Sequence, residues 1–114
     1  MKQTIFNPEL KETISFIKTS AETNGLYSEL EILLERGGGN LMHYHISYTE
    51  LFTAVKGNLR LELKKGKKVI LKPDEWYLVK KNEIHLFFNT GDEQIVFLNK
   101  GELAVISWKP IIVY

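Results

Sequence analysis

Residues 37 to 57 read GGGNLMHYHISYTELFTAVKG, and the rest of the chain is best understood outward from them. His43 and His45 are two positions apart, so on extended backbone both imidazoles fall on one side. In that phase Leu41 and Ser47 share their side, while Met42 and Tyr44 face away. Glu50 follows a short ISYT connection, where a second strand can bring its carboxylate beside the pair. The chain has three histidines, and His85 is the third. An H-x-H pair alone is most often a surface feature or a hydrogen-bonded core feature. A following glutamate and regularly placed glycines make a metal site the sharper expectation.

The flanking sequence reads as a succession of short strands. LRLELK, residues 59 to 64, has the cleanest alternation, with Leu59, Leu61 and Leu63 on one face and Arg60, Glu62 and Lys64 on the other. ELFTAV precedes it through the Gly57-Asn58 turn, and VILK, WYLV, HLFFN and EQIVFLN follow, separated by KKGKK, Pro73-Asp74, KKNE and TGD. Upstream, ISFIK (residues 14 to 18) alternates weakly, and Asn24-Gly25 is a hairpin signal. LYSELEILLE, residues 26 to 35, suits a helix by its leucine spacing and a strand by Tyr27, Ile32 and its flanking glycines. Context favours the strand. Residues 1 to 13 read as an irregular arm, and 101 to 114 as an apolar tail whose Trp108 and IIVY end should cover a sheet or a second subunit. Short strands at this spacing predict an all-β sandwich or barrel, and a jelly roll protects the edges of such a set.

The spacing of Gly37, His43, His45, Glu50 and Gly57 fills every fixed position of G(x)5HxH(x)4E(x)6G, the first motif of the cupins, which the chain therefore resembles. The second motif, G(x)5PxG(x)2H(x)3N, is matched at His85 and Asn89. Its two glycines are replaced by Asp74 and Asn82 and its proline by Lys80. Asp and Asn are the non-glycine residues best suited to positive φ, so both turns should still form. The resemblance covers about residues 26 to 100. It implies a single cupin domain over 1–114, a double-stranded β-helix or jelly-roll barrel with an arm at 1–13 and a tail at 101–114.

Composition sets the outer limits. At 114 residues the chain is one domain, large enough for a real core. A net charge near +1 gives no electrostatic case for nucleic acid. Lys64, Lys65, Lys67, Lys68 and Lys72 read as a solvated hairpin tip. No apolar run approaches the length of a membrane span. The absence of cysteine excludes disulfides and thiolate ligands and fits a cytoplasmic protein.

In the barrel the resemblance implies, His43, His45, Glu50 and His85 meet inside an apolar cup, where uncompensated polarity is costly. One divalent cation removes that cost. Three imidazoles and a carboxylate suit Fe, Mn, Ni, Zn, Co or Cu rather than Ca or Mg. Tyr48 and Asn89 are candidates to hold the other imidazole nitrogens. Leu41, Phe52, Trp76, Phe87 and Asn89 are expected to line the substrate pocket, and Lys80 and Lys81 lie near its rim. The resemblance implies a metal-dependent enzyme of dioxygenase type acting on a small organic molecule, with Glu50 also able to move a proton. An isomerase or lyase is the variant, and a ligand-binding sensor is the competing class. It also implies a homodimer.

Overall fold

A computed structural model describes residues 3–46 and 48–103, the last by its backbone alone. Nine strands follow in order: β1 (Thr4–Asn7), β2 (Glu12–Lys18), β3 (Tyr27–Leu34), β4 (Tyr48–Lys56), β5 (Leu59–Leu63), β6 (Lys68–Leu71), β7 (Trp76–Val79), β8 (His85–Phe88) and β9 (Ile95–Leu103). A single 3-10 turn, Lys64–Gly66, sits at the lysine-rich hairpin tip. Among the described residues there is no α-helix, and none that could cross a membrane.

The strands form two antiparallel sheets, one ordered β1-β2-β3-β9-β4-β7 and the other β6-β5-β8. Isolated bridges from Gly39 to Phe88 and from His43 to His85 add a broken fourth edge to the smaller sheet. Counting that edge, the chain crosses from one sheet to the other at each step from β3 onward except in the β5–β6 hairpin, the jelly-roll manner expected. The side-chain period of two decides what lies between the sheets. Leu59, Leu61 and Leu63 are buried, and so are Phe52 and Ala54 from β4 and Phe97 from β9. All of these but Leu63 meet Ile32, Leu34 and Val79 in one core. Leu86 and Phe88, in the opposite phase to His85 and Phe87, are half-buried.

The turns carry their own chemistry. Asp74 and Asn82 take φ of 74° and 65°, the left-handed conformation that glycine occupies in the motif they replace. Lys80 donates its backbone N–H to Glu83 Oε1 at 3.0 Å, a bond that proline cannot make. Gly57 has φ of 77°, and a Cβ there would lie 2.6 Å from Ile95 Cγ2.

Two local readings need correction. The arm at 1–13 is not irregular: β1 pairs with β2, and β2 begins at Glu12. LMHYHI is not a full strand, because only His43 within it bridges to a neighbour. Ser47, Trp108 and the IIVY end lie outside the described residues.

Candidate metal centre

His43 and His45 lie on the segment after Gly39, which is stitched to β8. Gly39 N–H donates to Leu10 O at 3.1 Å, Asn40 N–H to Phe87 O at 3.2 Å, and His43 and His85 exchange backbone bonds at 2.9 and 3.0 Å. A Cβ at Gly39 would lie 2.6 Å from Phe87 O, so only glycine allows this approach. Asn82 N–H donates to His45 O at 2.7 Å and ties the far end of the segment to the turn before β8. Glu50 enters from the first half of β4 and His85 opens β8.

These four residues converge. Each offers a ligand atom, and the four atoms lie within 4.8 Å of one another. All four residues are buried. Glu50 Oε1 is 2.9 Å from both His45 Nε2 and His85 Nε2. On the other side of each ring, Nδ1 is engaged: His43 with Leu41 O at 2.6 Å, His85 with Glu83 O at 2.8 Å, His45 with the Tyr48 hydroxyl at 2.8 Å. With Nδ1 donating to a carbonyl, the His43 and His85 rings turn Nε2 toward the cup, where loss of its proton leaves the lone pair a metal requires. Tyr48 also stacks over His45, with ring centroids 4.4 Å apart.

Electrostatics fit the same geometry. Burial pushes the Glu50 carboxyl up, but hydrogen bonds and charge from His45 and His85 outweigh it and hold the group well below the usual carboxylate range. Burial lowers His43, whereas at His85 the Glu50 carboxylate overcomes burial and raises it. Burial and then the Glu50 charge push the Tyr48 phenol upward, which keeps it protonated. Three nitrogens and a carboxylate oxygen, buried and facing one point, are a donor set that suits a divalent transition metal.

The centre opens into a cavity of about 230 Å³. His43, His45, Glu50 and Asn99 line it together with Leu41 and Phe87. Larger cavities of about 310 and 500 Å³ lie around Gly57 and on the outer face beside Trp76, but neither contains a histidine. Size therefore does not pick out the chemistry here.

The remaining pocket expectations need correction. Phe52 is fully buried in the core behind His85, with ring centroids 6.0 Å apart, and does not line the cavity. Trp76 pairs with Thr53 on the outer face of the larger sheet and is 64% exposed. Asn89 is buried away from the cavity, donating to Leu34 O and Glu93 O at 3.1 and 2.8 Å. It holds no imidazole. Lys80 and Lys81 are exposed and make no ion pair among the described residues.

Two residues escaped sequence reasoning. Asn99 is a polar residue at an inward phase of β9, between Phe97 and Gly101, and that phase was a usable signal. Glu12 lay in the segment read as irregular, where no phase could be assigned.

A family model for the cupin domain matches residues 30–105. The chain belongs to the cupin family. This cupin is 27% identical to an uncharacterized protein of Aquifex aeolicus (strain VF5), with 81% of this chain and 84% of that one covered. Its fold is similar to that of a predicted oxalate decarboxylase of Thermotoga maritima, at a TM-score of 0.77 and 18% identity over 90% of this chain and 92% of the other. An oxalate oxidase in complex with glycolate aligns at 0.72 and 20% identity, covering 95% of this cupin, which spans only 56% of that chain. The cupin domain of an XRE family transcriptional regulator of Enterobacter cloacae aligns at 0.73 and 17% identity, over 83% and 99% of the two chains.

Proposed function

We propose that this cupin holds one divalent transition metal through the Nε2 atoms of His43, His45 and His85 and the carboxylate of Glu50, and acts with it on a small organic molecule. The observation that carries this reading is the convergence of four buried donors whose other ring nitrogens are already engaged. Fe, Mn, Ni, Zn, Co and Cu all suit the set. The fold neighbour named as an oxalate oxidase supports a reaction of oxidoreductase type, and the one named as a predicted oxalate decarboxylase supports the lyase variant.

When bound, such a metal supplies Lewis acidity and open positions for substrate oxygen or dioxygen. This chain's residues do the rest. Asn99 holds Glu50 Oε2 at 2.9 Å, leaving Oε1 directed between His45 and His85. Glu50 is also the group placed to take and return a proton at the cup. Leu30, Ile32 and Phe87 give the cavity beside it an apolar wall.

Metal analysis of the purified protein tests the site. Stoichiometric metal in wild type and little in His45→Ala and Glu50→Ala is the expected result, and equal contents would end the assignment. Oxygen uptake with Fe(II), Ni(II) or Mn(II) and a panel of phenols, flavonols, diketones and dicarboxylates tests the chemistry. The second reading is a ligand-binding sensor, favoured by the fold likeness to the regulator's cupin domain. Saturable ligand binding without turnover under any metal would select it.

The same reading makes the protein a homodimer. Leu51, Trp76 and Leu78 form an apolar stretch on the outer face of the larger sheet, with Trp76 and Leu78 exposed. Sedimentation should give a dimer that Trp76→Glu converts to monomer.

A further inference from the structure

The cavity that opens from the metal centre has a second polar end. There stands Glu12, at the start of β2, only 6% exposed and lining the same cavity as His43 and Glu50. Its Oε2 is buried without a hydrogen-bond partner, and the carboxyl makes no ion pair among the described residues. Buried carboxyl oxygens are almost always bonded, so a carboxyl that lines a cavity without a bonded partner is an acceptor awaiting a donor. Between the two ends the wall is mostly apolar, made by Ile14, Leu30, Ile32 and Phe87, with Asn40 as a polar member whose Oδ1 accepts from Phe87 N–H at 2.9 Å. Glu12 precedes the span 30–105 that matches the cupin domain, so β1 and β2 bring this end of the cavity from outside it.

The dimensions constrain what would fit. Glu12 is level with Leu34 and Asn99 with Leu30, four residues apart on β3. At ~3.3 Å per extended residue the two ends are about 13 Å apart along the strands. A volume of about 230 Å³ holds roughly eight non-hydrogen groups at ~30 Å³ each, below the range of drug-sized pockets.

We infer that this cavity selects a short, elongated molecule with an oxygen ligand for the metal at one end, an apolar middle, and an O–H or N–H donor at the other end that Glu12 accepts. This rests on the metal reading above and adds a substrate class to it. Acids lacking the distal donor would leave Glu12 unsatisfied and bind less well.

Hexanoate, 6-hydroxyhexanoate and 6-aminohexanoate serve as probes, titrated calorimetrically into protein whose metal content has first been measured. In wild type the hydroxy or amino acid should bind about tenfold more tightly than hexanoate, the effect of one charge-assisted hydrogen bond. Preference for the amino acid marks an ammonium-bearing substrate, and preference for the hydroxy acid a neutral donor. Glu12→Leu should abolish either preference, with hexanoate bound at least as tightly as by wild type and metal content as in wild type. Equal binding of all three acids to metal-loaded wild type, binding of none, or an undiminished preference in Glu12→Leu would overturn the inference and leave the metal reading standing. Wild type that takes up no metal would overturn both.

Discussion

Asn99 Nδ2 donates to Glu50 Oε2 across 2.9 Å, from β9 to the neighbouring β4, and so fixes which carboxylate oxygen stays between His45 and His85. Both residues are buried, at 6% and 9% exposure, so no solvent replaces the bond when the amide is removed. Asn99→Leu is therefore expected to weaken metal binding about 10–100-fold, the usual effect of losing a partner that orients a ligand. Competition against a coloured chelator measures it. An unchanged affinity would mean that Asn99 merely occupies space.

Metal and folding should be linked through the four converging side chains. A ligand at a hundred times its Kd stabilises the folded state by about 2.7 kcal/mol, or roughly 10 °C at ~4 °C per kcal/mol. Thermal unfolding of wild type should rise by that order when metal is added to chelator-stripped protein. His85→Ala should show no such rise. It should also be less stable without metal, by about 3–5 kcal/mol, because the buried Glu50 carboxylate loses a partner.

Glu12 predicts a pH dependence of the opposite kind from a salt-bridged carboxylate. Burial raises its pKa above the ordinary value of 4.5, so the folded protein holds this proton more tightly than the unfolded chain. Its contribution favours folding below about pH 4.5 and is lost as the pH rises through the folded value. Glu12→Gln should match wild type near pH 4 and exceed it by about 1–3 kcal/mol at pH 7.5, the cost of an unsatisfied buried group. His43, His45 and Glu50 line the same cavity and are common to both proteins, so the difference between the two urea-unfolding series isolates Glu12. Wild type the more stable at pH 7.5 would contradict the prediction.

Asn89 should behave as a clamp. Its amide bridges Leu34 O on β3 and Glu93 O in the turn before β9, and its Oδ1 accepts from Gly91 N–H at 3.0 Å. Asn89→Ala should lower stability by about 3 kcal/mol and leave metal content and ligand affinity as in wild type. A selective loss of ligand binding would return Asn89 to the pocket.

What the sequence alone determined was whatever depends on residue spacing. The alternation of Leu59, Leu61 and Leu63 assigned the buried face of β5. Motif spacing brought His43, His45, Glu50 and His85 to one point, and Asp74 and Asn82 kept the positive-φ turns that glycine would have made. Tertiary structure decided the questions that phase cannot answer. Asn89 shares the inward phase of His85 but sits four residues further along, beyond the cavity, where it bonds backbone carbonyls instead of substrate. Trp76 sits one residue off the inward phase of Tyr77 and Val79, and register against β4 turns it to the outer face. Glu12 reaches the cavity only because β2 pairs with β3, a contact set by long-range sheet registration rather than by any local pattern around residue 12.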